Sequence, residues 1–146
     1  MSAQSPTQQN GSAALAPHSV EVRVAALPHQ LPVLRGIAGD IAMREDFDLD
    51  SIEDLRLAVD EVCSTLIRLA MPDATLVCRY DVAESALRVV ASVVSASSTG
   101  PRTDTFGWRV LTTLTSSIDS TVETRDDGLS VVQVELVKQR GTAVAE

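Results

Sequence analysis

The chain has 146 residues, which is enough for one domain with a substantial core, and hydrophobic residues make up 45% of it. Aromatic residues make up 3%, and the formal net charge is −8 at pH 7. This composition argues against nucleic-acid binding, because contacts to phosphates depend on Lys and Arg, and it favours a basic protein as partner.

The sequence contains no apolar run of membrane-spanning length, and its N-terminus lacks the basic start of an export signal. We therefore expect a cytoplasmic protein without membrane contact. The two cysteines, Cys63 and Cys78, are too few for a disulfide framework. We expect buried, reduced thiols, with a redox-sensitive pair as the alternative. The spacing around His18 and His29 does not favour a metal site.

Residues 1–18 are rich in Ser, Gln, Ala and Pro and predict a disordered tail, whereas 19–138 predict a folded domain and 139–146 a frayed end. The domain begins with "SVEVRVAAL", whose valines alternate with charged residues as in a half-buried strand. A helix is predicted to start between Pro28 and Pro32. Its apolar stripe consists of Leu31, Leu34, Ala38 and Ile41.

A second helix is predicted from a cap at Ser51 to about Ala70, because Pro72 prevents its continuation. Within "LRLAVDEVCSTLIRLA", a spacing of about 100° per residue predicts one core-facing stripe. The stripe consists of Leu55, Ala58, Val59, Val62, Leu66 and Leu69.

Two acids, Asp60 and Glu61, interrupt this helix and point to different sides, so they do not form a general acid/base pair. Glu61 shares one edge of the helix with Thr65, one turn further on. The carboxylate of Glu61 is either a solvated rim residue or the holder of a water molecule or metal ion.

The second half of the chain predicts two strands, "TLVCRYDVA" and "ALRVVASVV", joined near Ala83–Ser85. A third helix is predicted in "FGWRVLTTLTSSI", and a hairpin turns at "RDDG" between "DSTVET" and "LSVVQVELV". The order β-α-α-β-β-α-β-β predicts an α/β (α+β) two-layer sandwich. Its mixed, mostly antiparallel sheet is covered on one face by about three helices.

The stretch "DLRLAVDEVC" resembles the N-box helix of RsbW-type anti-sigma factors, small members of the GHKL ATPase superfamily that includes the histidine kinases. The resemblance covers about residues 20–137, is strongest from Asp50 to Thr75, and is closest to the actinobacterial branch. It implies the histidine-kinase-like ATPase fold. It also implies that Glu61 stands at the catalytic glutamate, and Thr65 at the asparagine that binds magnesium.

The other nucleotide motifs of that family are degenerate in this sequence. The adenine motif, Asp-x-Gly-x-Gly, reads "VVSASSTGPR" with Gly100 alone, and the phosphate loop reads "TDTFGWRVL" with Gly107 alone. Phosphate cradles need several glycines because backbone N–H groups must approach the oxygens closely. We expect at most weak contacts from Thr65 and Gly107 to Mg-ATP. We also expect that the protein binds a partner and does not transfer a phosphoryl group.

The resemblance implies an anti-sigma factor that holds an alternative, stress-type sigma factor away from RNA polymerase. An anti-anti-sigma factor would counter it, and a homodimer is expected. The alternatives are an active ATP-dependent serine kinase acting on that antagonist, or a small α/β domain with no transcriptional role. Because sigma factors expose basic helices, Asp46, Asp48 and Asp50 are predicted partner contacts. Trp108 is predicted to anchor a core or lid rather than an interface.

Overall fold

The computed structural model describes residues 15–141, which form one five-stranded sheet with helices on one of its faces. The strands are β1 (Ser19–Ala25), β2 (Thr75–Val82), β3 (Ala86–Ser95), β4 (Ser117–Thr124) and β5 (Ser130–Gln139). The helices are α1 (Leu31–Arg44), α2 (Leu49–Leu69) and α3 (Phe106–Leu114), and a 3-10 turn at Pro28–Gln30 leads into α1. The predicted element order and two-layer sandwich are confirmed.

The sheet is antiparallel throughout, in the order β1-β2-β3-β5-β4, and is therefore more regular than the predicted mixed sheet. After β3 the chain forms α3 and then β4 at the edge of the sheet, and β5 returns between β3 and β4. Each strand thereby runs opposite to its neighbours, which is the arrangement that hairpin connections favour.

The centre of the core is the predicted stripe of α2, packed against the inner faces of β2, β3 and β5. Its members Leu55, Ala58, Val59, Val62 and Leu66 are buried, whereas Leu69 is half-buried at the margin. Cys63 and Cys78 are both fully buried free thiols, as expected. Tyr80 ties the sheet to α1, because its hydroxyl donates to the carbonyl of Leu34 at 2.8 Å.

The predicted cap of α2 at Ser51 is wrong, because the helix begins at Leu49 with Asp48 in the N-cap position. The reason lies in the short connection, where Phe47 is buried and its N–H donates to the carbonyl of Ala42 at 3.0 Å. Asp46 adopts a left-handed conformation with φ 62°. This anchored turn places Asp48, the residue after Phe47, in the extended N-cap conformation, so the helix begins at Leu49.

The C-terminal strand runs further than the sequence predicted, because β5 includes Gln139. Lys138 Nζ donates to Asp54 Oδ2 at 3.1 Å and to the carbonyl of Leu114 at 3.0 Å, so it joins β5 to α2 and α3. The expected disordered tail and frayed end otherwise fall largely on 1–14 and 142–146, which lie outside the described residues. No helix within 15–141 has both the length and the apolar character needed to cross a membrane.

The sheet face opposite the helices carries a charged network. Arg88 Nε donates to Glu135 Oε2 at 2.6 Å, and Arg88 Nη1 donates to Asp81 Oδ2 at 3.0 Å. The hydrogen bond from Arg88 holds the pKa of Glu135 below its ordinary value. The ionised carboxylate is therefore favoured by folding, and its contribution to stability is present above pH 4.5 and is lost as the pH falls through the lowered pKa.

We predict that Arg88→Gln lowers the free energy of unfolding at neutral pH, and that this loss shrinks as the pH falls below about 4. Urea unfolding of wild type and variant between neutral and acid pH measures this difference in the free energy of unfolding. Arg44→Gln is the control, because Arg44 and its partner Asp40 are both largely exposed. A stability difference that does not change with pH would contradict the assigned role of Glu135.

Candidate functional site

A cleft of ≈ 420 Å³ opens between the C-terminal half of α2, the loop after β3 and the first turns of α3. Polar and apolar side chains both line it, so it offers hydrogen-bonding groups beside an apolar wall. They are Glu61, Thr65, Arg68, Thr99, Arg102, Thr105, Leu69, Pro101, Trp108 and Leu111, together with Gly100 and Gly107. All the residues that the sequence predicted for nucleotide contact therefore lie around one cavity.

The two acids of α2 diverge as predicted. Asp60 lies on the α1 side, where its Oδ1 accepts from Arg35 Nη1 at 2.7 Å. Glu61 faces the cleft one turn before Thr65. The burial of the α2 stripe sets both directions, since it leaves one edge of the helix to α1 and the other to α3.

Thr65, the predicted metal ligand, is already engaged in hydrogen bonds. Its hydroxyl donates to the carbonyl of Glu61 at 2.9 Å and accepts from Arg68 Nη2 at 3.3 Å. Arg68 Nη1 also donates to the hydroxyl of Ser64 at 2.9 Å. A magnesium ion on Thr65 Oγ1 would have to share this oxygen with a guanidinium, so two positive charges would repel at close range. Sequence reasoning missed Arg68, although its i+3 spacing from Thr65 is a visible signal.

The two glycines of the degenerate motifs are used for packing. A Cβ atom at Gly107 would lie 2.9 Å from Glu61 Oε2, and one at Gly100 would lie 2.8 Å from Val122 Cγ2. Side chains of the protein therefore lie directly against both glycines, at the edge of the open cleft. Thr105 caps α3, because its hydroxyl accepts from the N–H of Trp108 at 3.1 Å.

These contacts do not fit magnesium and nucleotide phosphates. Within the described part of the chain, no group of three or more His, Cys, Asp or Glu side chains is arranged to hold a metal ion. Trp108 is half-buried against the core, as predicted for an anchor. The cleft provides a carboxylate at Glu61 and a guanidinium at Arg68, which suit recognition of polar groups.

The predicted partner contacts lie outside the cleft, at the turn between α1 and α2. We call Asp46, Asp48 and Asp50 the acidic corner; all three residues are exposed. The hydroxyl of Ser51 holds the pKa of Asp48 below its ordinary value, so this carboxylate stays charged at neutral pH. Because buried Phe47 fixes the turn, the acidic corner presents its charges from a rigid position.

Comparison with known proteins finds two curated relatives, each called anti-sigma-F factor RsbW, from two strains of Mycobacterium tuberculosis. Each is 42% identical over 102 residues, which is 70% of this chain and 61% of the relative. The chain thus spans less than two thirds of the length of these relatives. No family model matches the chain.

A solved structure shares the fold. A crystal structure of the RsbU and RsbW domains of a Mycobacterium tuberculosis protein matches with a TM-score of 0.53 at 15% identity. The match covers 90% of this chain and 36% of that chain. It confirms the α+β architecture predicted from the element order.

We predict that Gly100→Ala lowers the free energy of unfolding by about 1–2 kcal/mol, because the new Cβ atom overpacks against the stiff side chain of Val122. The double variant Gly100→Ala/Val122→Ala should lose less than the sum of the single variants, as urea unfolding would show. Gly36→Ala is the control, since a Cβ atom at Gly36 meets nothing within 4 Å. Additive losses would contradict a packing role for Gly100.

Proposed function

We propose that the chain belongs to the family of RsbW anti-sigma factors and is itself an anti-sigma factor, which sequesters an alternative sigma factor of the F class. The identity of 42% to two proteins named anti-sigma-F factor RsbW carries this proposal. The activity is negative regulation of transcription, because a sequestered sigma factor is kept from RNA polymerase. A cytoplasmic location follows from that role.

Release of the sigma factor is by partner exchange. An anti-anti-sigma factor binds the same molecule, and two partners that exclude each other set each other's occupancy through affinity and concentration. This mechanism requires binding surfaces and no phosphoryl transfer. The rigid acidic corner supports it, since its charges would steer a basic partner towards the chain.

We further propose a homodimer, as is common in the family. The outer face of the sheet supports this proposal, because no helix of the described residues covers it. Besides the Arg88 network, this face presents four half-buried valines on β2, β3 and β5, and self-association would remove them further from water. They are Val77, Val94, Val131 and Val137.

We predict that neutralising the acidic corner with Asn at all three positions weakens sigma-factor binding about tenfold at low salt, and less at high salt. The shape of the turn should survive, because Asn adopts left-handed and N-cap conformations as Asp does. Surface plasmon resonance with a purified sigma-F factor measures the association and dissociation rates. The association rate should change most, because exposed charges mainly steer the encounter.

The matched control removes three charges elsewhere, with Asp119→Asn, Glu123→Gln and Asp126→Asn, all exposed in β4 and its hairpin. If both triple variants weaken binding equally, the effect comes from the net charge of the chain, and the acidic corner is not a specific contact. A wild-type chain that binds no sigma factor at any salt concentration would overturn the proposed function and favour a domain with no transcriptional role.

Two observations disfavour the kinase alternative. The hydroxyl of Thr65 already bonds to the Glu61 carbonyl and to Arg68, and side chains lie against Gly100 and Gly107. We predict that calorimetric titration with Mg-ATP gives no saturable binding. Thr65→Asn/Arg68→Leu, which restores an amide and removes the competing cation, should bind more strongly than wild type. Micromolar binding by wild type, with transfer of labelled phosphate to an anti-anti-sigma factor that Glu61→Ala abolishes, would establish the kinase.

A further inference from the structure

Two large apolar side chains lie exposed on either side of Glu61. Leu57 is one helical turn before Glu61 on α2 and is 56% exposed. Phe106 begins α3 and is 75% exposed. It directly precedes Gly107, whose backbone packs against the Glu61 carboxylate. Helices α2 and α3 thus each present one exposed apolar side chain in the neighbourhood of Glu61.

The surface around Leu57 is acidic. Glu53 lies one turn before Leu57 on the same outward face of α2, with its side chain 70% exposed. We call Glu53, Leu57 and Glu61 of α2, with Phe106 of α3, the α2–α3 ridge. Single exposed apolar residues are ordinary on protein surfaces, but here two of them alternate with carboxylates along one line.

The charge of the whole chain is concentrated in this region. The segment 45–61 contains eight acidic residues and one basic residue, Arg56. Asp54 and Asp60 are paired with Lys138 and Arg35, and Glu53 forms a long, exposed ion pair with Arg56 at 4.0 Å. Among the described residues no ion pair is formed by Glu61, so its charge is available to a partner.

Charge excludes two other occupants of this surface. Two copies of the ridge placed face to face would bring carboxylates together, which is unfavourable. The terminal segments 1–14 and 142–146 contain no Lys or Arg, so neither complements an acidic surface. The complementary occupant is a helix with an apolar stripe flanked by basic residues.

We propose that the α2–α3 ridge docks one basic amphipathic helix of the sequestered sigma factor. Apolar side chains of that helix cover Leu57 and Phe106, and its Lys and Arg residues pair with Glu53 and Glu61. This inference rests on the proposed function and adds an apolar contact surface next to the acidic corner. Sequestration then covers a basic helix of the sigma factor along its length.

Titration of purified sigma-F factor against Leu57→Gln and Phe106→Gln tests the proposal. Each variant should bind roughly tenfold more weakly than wild type, because each removes an apolar anchor of an interface. Gln keeps good helix propensity, and unchanged melting temperatures confirm that the variants fold. Leu27→Gln is the matched control, since Leu27 is 49% exposed just before Pro28–Gln30, and its affinity should stay within about twofold.

The outcomes separate this inference from the proposed function. If wild type binds and both ridge variants bind equally well, the ridge is not the docking surface and the anti-sigma function stands. If wild type does not bind, both proposals are overturned. Sedimentation velocity of the free chains adds one further result: a dimer that Phe106→Gln converts to monomers would assign the ridge to contacts between copies, against the inference.

Discussion

The packing of the α2 stripe on the sheet is the contact on which the rest of the structure depends. Five buried side chains, from Leu55 to Leu66, fix the rotation of α2 about its own axis. Once that rotation is fixed, Asp60 must face α1 and Glu61 must face α3, because successive helical residues are about 100° apart. The cleft, the pairing of Asp60 with Arg35, and the outward position of Leu57 all follow from this one packing choice.

The same packing also shapes the cleft between α2 and α3. Contacts within the protein bound it: Glu61 lies against Gly107, Val122 against Gly100, and Arg68 on Thr65. Of these contacts, the one between Glu61 and Gly107 links α2 to α3 beside the cleft. A surface that is formed before binding loses less conformational entropy when a partner binds.

Much of this fold could be predicted from residue periodicity. Alternating valines marked β1, and helical spacing marked the buried face of α2, since both patterns follow directly from backbone geometry. The sheet order could not be predicted, because nothing local indicates that β5 lies between β3 and β4. The predicted N-cap at Ser51 was wrong, because the burial of Phe47, a tertiary contact, sets the start of α2. The contact of Arg68 with Thr65 lies within one helix and could have been found from its spacing, whereas the place of Phe106 beside Glu61 depends on how α3 packs against α2.

The place of β5 has a consequence for folding on the ribosome. Within the described chain β4 pairs with β5, and β5 in turn joins it to β3. A nascent chain that has emerged only as far as residue 129 therefore has all three helices and four strands available, yet β4 has no neighbouring strand with which to pair. Completion of that half of the sheet waits for β5, and contacts of long sequence separation such as these form late and slowly.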